Sequence, residues 1–325
     1  MTASAASSSP SSSGEELPLM VVMPPNLILG ASDSGLIYVA ISAVCFSLVS
    51  TCAKYATYSI SSMEFILWRS IIALGLNYVG MRYYGESLTI RPKQRHNLLV
   101  QCLFGFASVA FGFYAMSQMV LADASVIIFT SPAVTFIFGA CLLKEKVDPA
   151  SFACALVACL GLVFVLRPTF LFGDNSTASA SGSMAVPIGC AMAAAICQAL
   201  LYTSVRRLQG IHFLTIVHYF MVFSIIVATL WIVLVQGQFH ELSFRVCMVL
   251  FAAGAWTFLG QISLTKGFQL EKAGIAAVMR YLDVVCVFIW DILLLHERVS
   301  TMTMLGAVII CSCAGVIAVR KANEK

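Results

Sequence analysis

Ten apolar runs, each long enough to cross a lipid bilayer, constrain this 325-residue chain more than any other feature. A membrane-spanning helix needs about 20 mostly apolar residues. The runs lie at 35–57, 64–84, 98–119, 121–143, 151–166, 184–205, 213–235, 246–268, 273–295 and 301–319. The fifth is short and is expected to extend back through Pro149. Barrel strands would instead alternate polar and apolar residues over stretches of about ten. The expected fold is therefore an all-α integral membrane protein with ten transmembrane helices. With 60% hydrophobic and only 10% charged residues, against about 25% charged in a soluble domain, the chain is not a soluble enzyme, a nucleic-acid binder or a secreted disulfide scaffold.

The residues that could suggest other chemistry are dispersed. All twelve cysteines, from Cys45 to Cys313, fall inside the apolar runs, where cysteine behaves as a small hydrophobe. The five histidines, His96, His212, His218, His240 and His296, are scattered and never stand four apart beside carboxylates, so no zinc-type ligand set emerges. There is no phosphate-cradling glycine loop and no nucleophile with a neighbouring base, and the loops are too short to house a nucleotide-binding domain. The reading calls for no cofactor and no metal, and it is not that of an enzyme. Residues 1–34 differ in kind: seven of the first fourteen are Ser, and no Lys or Arg precedes position 34. A secretory signal needs a basic start and an unbroken apolar stretch, so this segment is expected to be a disordered tail.

Basic residues give the orientation. With a cytosolic N-terminus, the cytosolic side holds thirteen: Arg82, Arg91, Lys93, Arg95, Lys144, Lys146, Arg206, Arg207, Lys266, Lys272, Arg320, Lys321 and Lys325. The other side holds three, Arg167, Arg245 and Arg298, and three remain within the spans, Lys54, Arg69 and Arg280. Both termini are therefore expected in the cytosol. The sequon Asn175-Ser176-Thr177 then lies in the non-cytosolic loop 168–183, where it can accept a glycan.

The spans divide into two fives. Leu121-Ala122-Asp123-Ala124-Ser125 returns 149 positions later as Leu270-Glu271-Lys272-Ala273-Gly274. Leu143-Lys144-Glu145-Lys146-Val147 returns 152 positions later as Leu295-His296-Glu297-Arg298-Val299. Because five is odd, repeats at 35–167 and 184–320, before a short tail at 321–325, would enter the membrane in opposite directions. Inverted repeats of this kind characterise secondary transporters with a midplane site between the halves. They are expected to bring Ser131-Pro132 opposite Arg280-Tyr281, with Pro132 bending the fourth helix because it lacks a backbone donor.

These motifs carry a resemblance. The run from Leu121 to Pro132, with Leu143-Lys144-Glu145-Lys146 and the second-half counterpart around Glu271-Lys272-Ala273-Gly274, resembles the EamA domain of the drug/metabolite transporter superfamily. Arg167-Pro168-Thr169-Phe170-Leu171-Phe172-Gly173 and Gly260-Gln261-Ile262-Ser263-Leu264-Thr265-Lys266 are similar to the G branch of the solute carrier 35 family. The resemblance covers about residues 35–320. It implies a ten-helix, two-repeat carrier of a small polar solute. Many wider relatives exchange nucleotide sugars, but this chain has Met279-Arg280-Tyr281 where GDP-mannose-type carriers place Gly-Ala-Leu-Asn-Lys.

Charges inside a membrane cost about 2.5–3.5 kcal/mol each and mark functional candidates. Arg280 lies seven residues into the ninth run, roughly 10 Å deep at a rise of 1.5 Å per residue. Asp283, three residues on, shares its face. Arg69 is similarly deep in the second run and could meet an anion or Asp283. Lys54, Tyr281 and Gln261 complete the candidate substrate-binding set, with Tyr114 and Gln118 as further polar positions. The expected function is secondary transport of a small organic anion by alternating access. The alternatives are a nucleotide-sugar antiporter and a scaffold or regulatory subunit that has lost transport. Plasma membrane, Golgi and endoplasmic reticulum all fit. The partners named are the solute and the bilayer, with a homodimer left open and nucleic acid excluded.

Overall fold

Local sequence signals start and stop several of the helices, and the connections among the described residues are short. In the computed structural model the described residues are 34–90, 92–119, 121–166, 171, 185–295 and 301–323. The 1–33 tail, Asn175 and the His296-Glu297-Arg298-Val299 corner lie outside them. The helices are α1 (Ser34–Ala56), α2 (Ser62–Tyr84), α3 (Pro92–Gln118), α4 (Leu121–Ile128), α5 (Ser131–Leu143), α6 (Pro149–Leu166), α7 (Ala185–Arg207), α8 (Phe213–Trp231), α9 (Phe244–Leu270), α10 (Ala273–Met279), α11 (Leu282–Leu295) and α12 (Thr301–Asn323). A single π-helical turn, Ile232–Gln236, extends α8. Among the described residues there is no strand.

Pro149 opens α6 at the position where its missing donor costs nothing. Ser61 and Glu64 form a reciprocal capping box on α2, and Gly85 closes that helix at φ +66°, a left-handed conformation open to glycine without strain. Among the described residues nine helices are long and apolar enough to cross a membrane. The second expected span, α2, is fully helical but is not one of the nine. Glu64, Arg69, Asn77 and Arg82 dilute its apolar content.

Two of the expected spans are interrupted. The fourth stops at Ile128 and restarts at Ser131; the ninth stops at Met279 and restarts at Leu282. Pro132 explains the first, where a bend was expected: it cannot donate to Ile128, and Ala133 turns back to the Thr130 carbonyl at 3.0 Å. The second has no proline. Its backbone tightens into three-residue turns, with Arg280 N donating to Ala277 O at 3.1 Å and Tyr281 N to Val278 O at 3.0 Å.

The packing is regular. Helix α1 lies along α9 as α3 lies along α7; α11 lies against α1 as α5 lies against α7. The pairs α2–α8, α6–α12 and α5–α10 also meet. Among lipid tails, burial between helices gains little hydrophobic free energy, so close van der Waals contact must hold the bundle. At the α6–α12 crossing a Cβ on Gly306 would collide with the Gly161 carbonyl, so two bare backbones touch there. The main core, with Leu162, Phe268, Tyr281 and Ile310, surrounds the two breaks.

Side-chain bonds fasten each end of the bundle. At one end Arg206 pairs with Glu145 (3.0 Å), Arg320 with Asp148 (3.1 Å) and Lys321 with Glu271 (3.0 Å). Gly35 also packs against Glu271, so the first and last described helices begin and finish at this end. At the other end Ser61 donates to Gln236 at 2.8 Å and His240 N to Glu64 at 2.8 Å.

Candidate solute cavity at the helix breaks

The breaks leave backbone groups that must be satisfied inside the protein, since lipid offers no partners. Because Ala133 turns to Thr130, the Phe129 carbonyl loses its helical donor. Tyr281, at the break of the other half, donates its hydroxyl to that carbonyl at 2.8 Å, and the two rings lie 6.5 Å apart. The two breaks therefore sit together, as expected from the repeat.

The second break also places opposite charges on opposite helix ends. Arg280 caps the C-terminus of α10, where the dipole is negative; Asp283 lies in the first turn of α11, where it is positive. Arg280 Nη2 donates to Asp283 Oδ2 at 2.7 Å, with each side chain 12% exposed. The guanidinium also lies 4.9 Å from the Phe46 ring centroid, within cation–π range. Among the described residues its Nε and Nη1, and Asp283 Oδ1, have no hydrogen-bond partner.

A cavity of about 210 Å³ opens beside this pair. Its walls come from the middles of α1, α2, α3, α7, α8 and α9 and from the second break. The polar lining consists of Arg69, Ser70, Ser108, Gln198, Tyr202, Ser224, Thr257, Gln261 and Arg280, and the apolar lining includes Phe46, Phe106 and Phe220. Arg69 is half-buried, and its nearest polar partner is the Thr257 hydroxyl at 3.5 Å, the limit of a hydrogen bond. Its Nε is unpartnered, and among the described residues no carboxylate lies within 4 Å of it. A Cβ on Gly254 would lie 3.3 Å from the Arg69 carbonyl, so this glycine lets α9 come close enough to bring Thr257 to Arg69.

The candidate residues thus separate. Arg69, Arg280 and Gln261 line one cavity, and Asp283 stands behind Arg280. Asp283 does not meet Arg69; its partner is Arg280. Tyr281 is 1% exposed and outside the lining, with its hydroxyl engaged at Phe129. Lys54 is exposed in the last turn of α1, and Tyr114 and Gln118 are exposed on α3; none of the three lines the cavity. Sequence reasoning passed over Gln198, Tyr202 and Thr257. Gln198 donates to the Tyr202 hydroxyl at 2.8 Å, Ser131 donates to Gln198 at 3.4 Å, and the Tyr202 ring stacks on Phe268 at 4.4 Å. Their signal was spacing: Gln198 with Tyr202, and Thr257 with Gln261, stand four apart in apolar runs and so share a helix face.

Known proteins share this layout. Human solute carrier family 35 member G1 is 29% identical over 88% of this chain and 79% of its own length. The pseudopaline exporter CntI of Pseudomonas aeruginosa is 30% identical over 87% of this chain and 95% of its own. A probable transport protein of Saccharomyces cerevisiae is 26% identical over 82% and 80%. A crystal structure with 17% identity superposes with a TM-score of 0.71, covering 90% of this chain and 99% of that one; at that identity it speaks for the fold alone. The EamA-like transporter family model matches twice, at 33–167 and 186–319, and so this multi-pass membrane protein belongs to the EamA-like transporter family, on the solute carrier 35 G branch.

Proposed function

We propose that the chain is a secondary transporter that moves a small organic anion by alternating access between inverted five-helix repeats, residues 35–167 and 184–320. The observation that carries this reading is Arg69: a guanidinium that stays protonated, lines an interior cavity and has no carboxylate partner among the described residues. A charge so placed is expensive and needs a mobile anion to neutralise it. Arg280, held from behind by Asp283, completes the charged lining, with Gln261, Gln198, Tyr202 and Thr257 able to bond the rest of the solute.

The contact pattern supports the repeat, because exchanging the two halves maps α1–α9 onto α3–α7, α1–α11 onto α5–α7, and α2–α8 and α6–α12 each onto itself. It also supports ten traverses, with α4–α5 and α10–α11 each counting as one. The end where α1 begins and α12 finishes holds Lys144, Arg206, Arg207, Lys272, Arg320 and Lys321; we assign it to the cytosol by the bias of basic residues to that side. Two observations disfavour a nucleotide-sugar antiporter. The cavity of about 210 Å³ is smaller than the roughly 300–1,000 Å³ typical for drug-sized ligands, and the ninth span lacks the expected motif. A scaffold without transport would have little use for Arg69.

The test is uptake of a panel of small organic anions, cations and neutral solutes into proteoliposomes, with and without a proton gradient. Anion uptake that Arg69→Ala abolishes at unchanged protein yield is the expected result. Uptake of no anion, or full-rate uptake by Arg69→Ala, would overturn the reading.

A further inference from the structure

We propose that the cavity is set for a solute carrying a single negative charge, and that Asp283 is the residue that sets this number. The inference rests on the transporter reading above and adds a selectivity rule to it. The ionised groups lining the cavity are Arg69 and Arg280. Asp283 lies behind the lining and bonds Arg280 at 2.7 Å. Two guanidinium charges less one carboxylate leave one uncompensated positive charge.

Among the described residues the other buried carboxylates are Asp123, on α4 and outside the lining, Glu64 and Glu271. Glu64 bonds Ser61 and His240, and Glu271 bonds Lys321, each at an end of the bundle. Glu145 is likewise held by Arg206 and the Ala273 amide. None of them lines the cavity.

In a site of low effective dielectric, one unmatched charge dominates the electrostatics. A monoanion on Arg69 brings the occupied cavity to neutrality with the Arg280–Asp283 pair intact. A dianion leaves one negative charge in excess unless Asp283 is displaced. Displacing it would strand a buried carboxylate already attached to Arg280, which is costly. Arg69 is therefore the anchor, and Asp283 is a specificity-determining residue that holds Arg280 in reserve and never touches the solute.

Succinamate and succinate test this directly, since they match in size and differ by one charge at pH 7.5. Purified full-length protein in proteoliposomes should take up succinamate in preference to succinate. Asp283→Asn should shift the uptake ratio toward succinate on the order of tenfold, the effect of one added unit charge in a partly desolvated site. The double variant Arg280→Gln/Asp283→Asn again carries one positive charge and should return to the wild-type ratio. Arg280→Gln alone leaves Arg69 and Asp283 as the two charges of a net-neutral site and should lose uptake of both. A wild-type preference for succinate, or an unmoved ratio in Asp283→Asn, would overturn the assignment while leaving anion transport standing. Should Asp283→Asn fail to fold, the double variant decides, because losing the monoanion preference there overturns it equally. Uptake of neither anion, beside uptake of a neutral solute, overturns the anion reading and this rule together.

Discussion

Replacing Tyr281 by Phe removes one oxygen atom and keeps the ring, at a residue that is 1% exposed. What it takes away is the donor to the Phe129 carbonyl at 2.8 Å. That carbonyl has no helical donor, since Ala133 is bonded to Thr130 instead. Leaving a buried acceptor unmade costs about 1–3 kcal/mol in soluble proteins. Between membrane helices, measured pair energies average about 0.6 and reach about 1.7 kcal/mol. No water can take the place of the hydroxyl at this depth, so the upper part of that range applies, about 1–2 kcal/mol. Reversible unfolding of the purified protein in mixed detergent–lipid micelles should show Tyr281→Phe less stable by that amount. Uptake should keep its half-saturating solute concentration, because the hydroxyl faces the other break and not the cavity. A stability loss below about 0.5 kcal/mol, the scale of an unremarkable surface change, together with a tenfold weaker apparent affinity, would show that Tyr281 contacts the solute after all.

Asp148→Ala removes the carboxylate that accepts from Ser151 N at 3.1 Å and from its hydroxyl at 2.6 Å, and should cost about 1 kcal/mol as a lost helix cap. The Ser151 hydroxyl first, then the Ser151 amide and the nearby Arg320 charge, outweigh burial and hold the Asp148 carboxyl below its ordinary range. Its stabilisation is therefore present above about pH 4 and fades as pH falls through the lowered value, so wild type and variant should converge in acid. Gly306→Leu should prevent recovery of monodisperse protein, because its Cβ meets the Gly161 backbone, whereas Gly315→Leu, with open space around it, should be tolerated. Asn175→Gln should abolish a glycosidase-sensitive shift in membrane-expressed protein. An N-terminal tag reachable only from outside the cell would sink the orientation, whatever the glycan shows.

The sequence made the helices legible because bilayer thickness fixes their length, and their boundaries moved by only a few residues. It made the first break half legible through Pro132. The second break was not, because Met279-Arg280-Tyr281-Leu282 contains no helix breaker. That interruption depends on bonds to distant residues: Tyr281 to Phe129, 152 positions away, and the guanidinium of Arg280 resting over Phe46 on α1. The same distinction sorts the site. Arg69, Arg280 and Gln261 were found because charge or amide groups inside a bilayer need a reason. Lys54 satisfied the same test, but near a helix end a lysine can extend to the interface. Tyr281 satisfied it too, and its hydroxyl serves a carbonyl that only the fold leaves orphaned.

The two ends of the bundle follow a common device that bears on how access would alternate. At one end Glu145 of the first repeat accepts the Ala273 amide of the second at 3.1 Å; at the other, Glu64 accepts the His240 amide at 2.8 Å. In each case a carboxylate from one half holds backbone from the other, so parting the halves at either end exposes both groups. The costs differ. Glu145 is 17% exposed and its partner Arg206 is 19% exposed, so the carboxylate there is already in partial contact with water before the halves separate. Glu64 is 1% exposed and receives the His240 amide and ring nitrogen as well as its own capping amide from Ser61. Separation there would strip a desolvated carboxylate of two strong contacts before water reached it. On the transporter reading, the Glu145 contact is the easier of the two to part, and the Arg320–Asp148 pair at 3.1 Å is a further tie between the halves that must separate with it at that end.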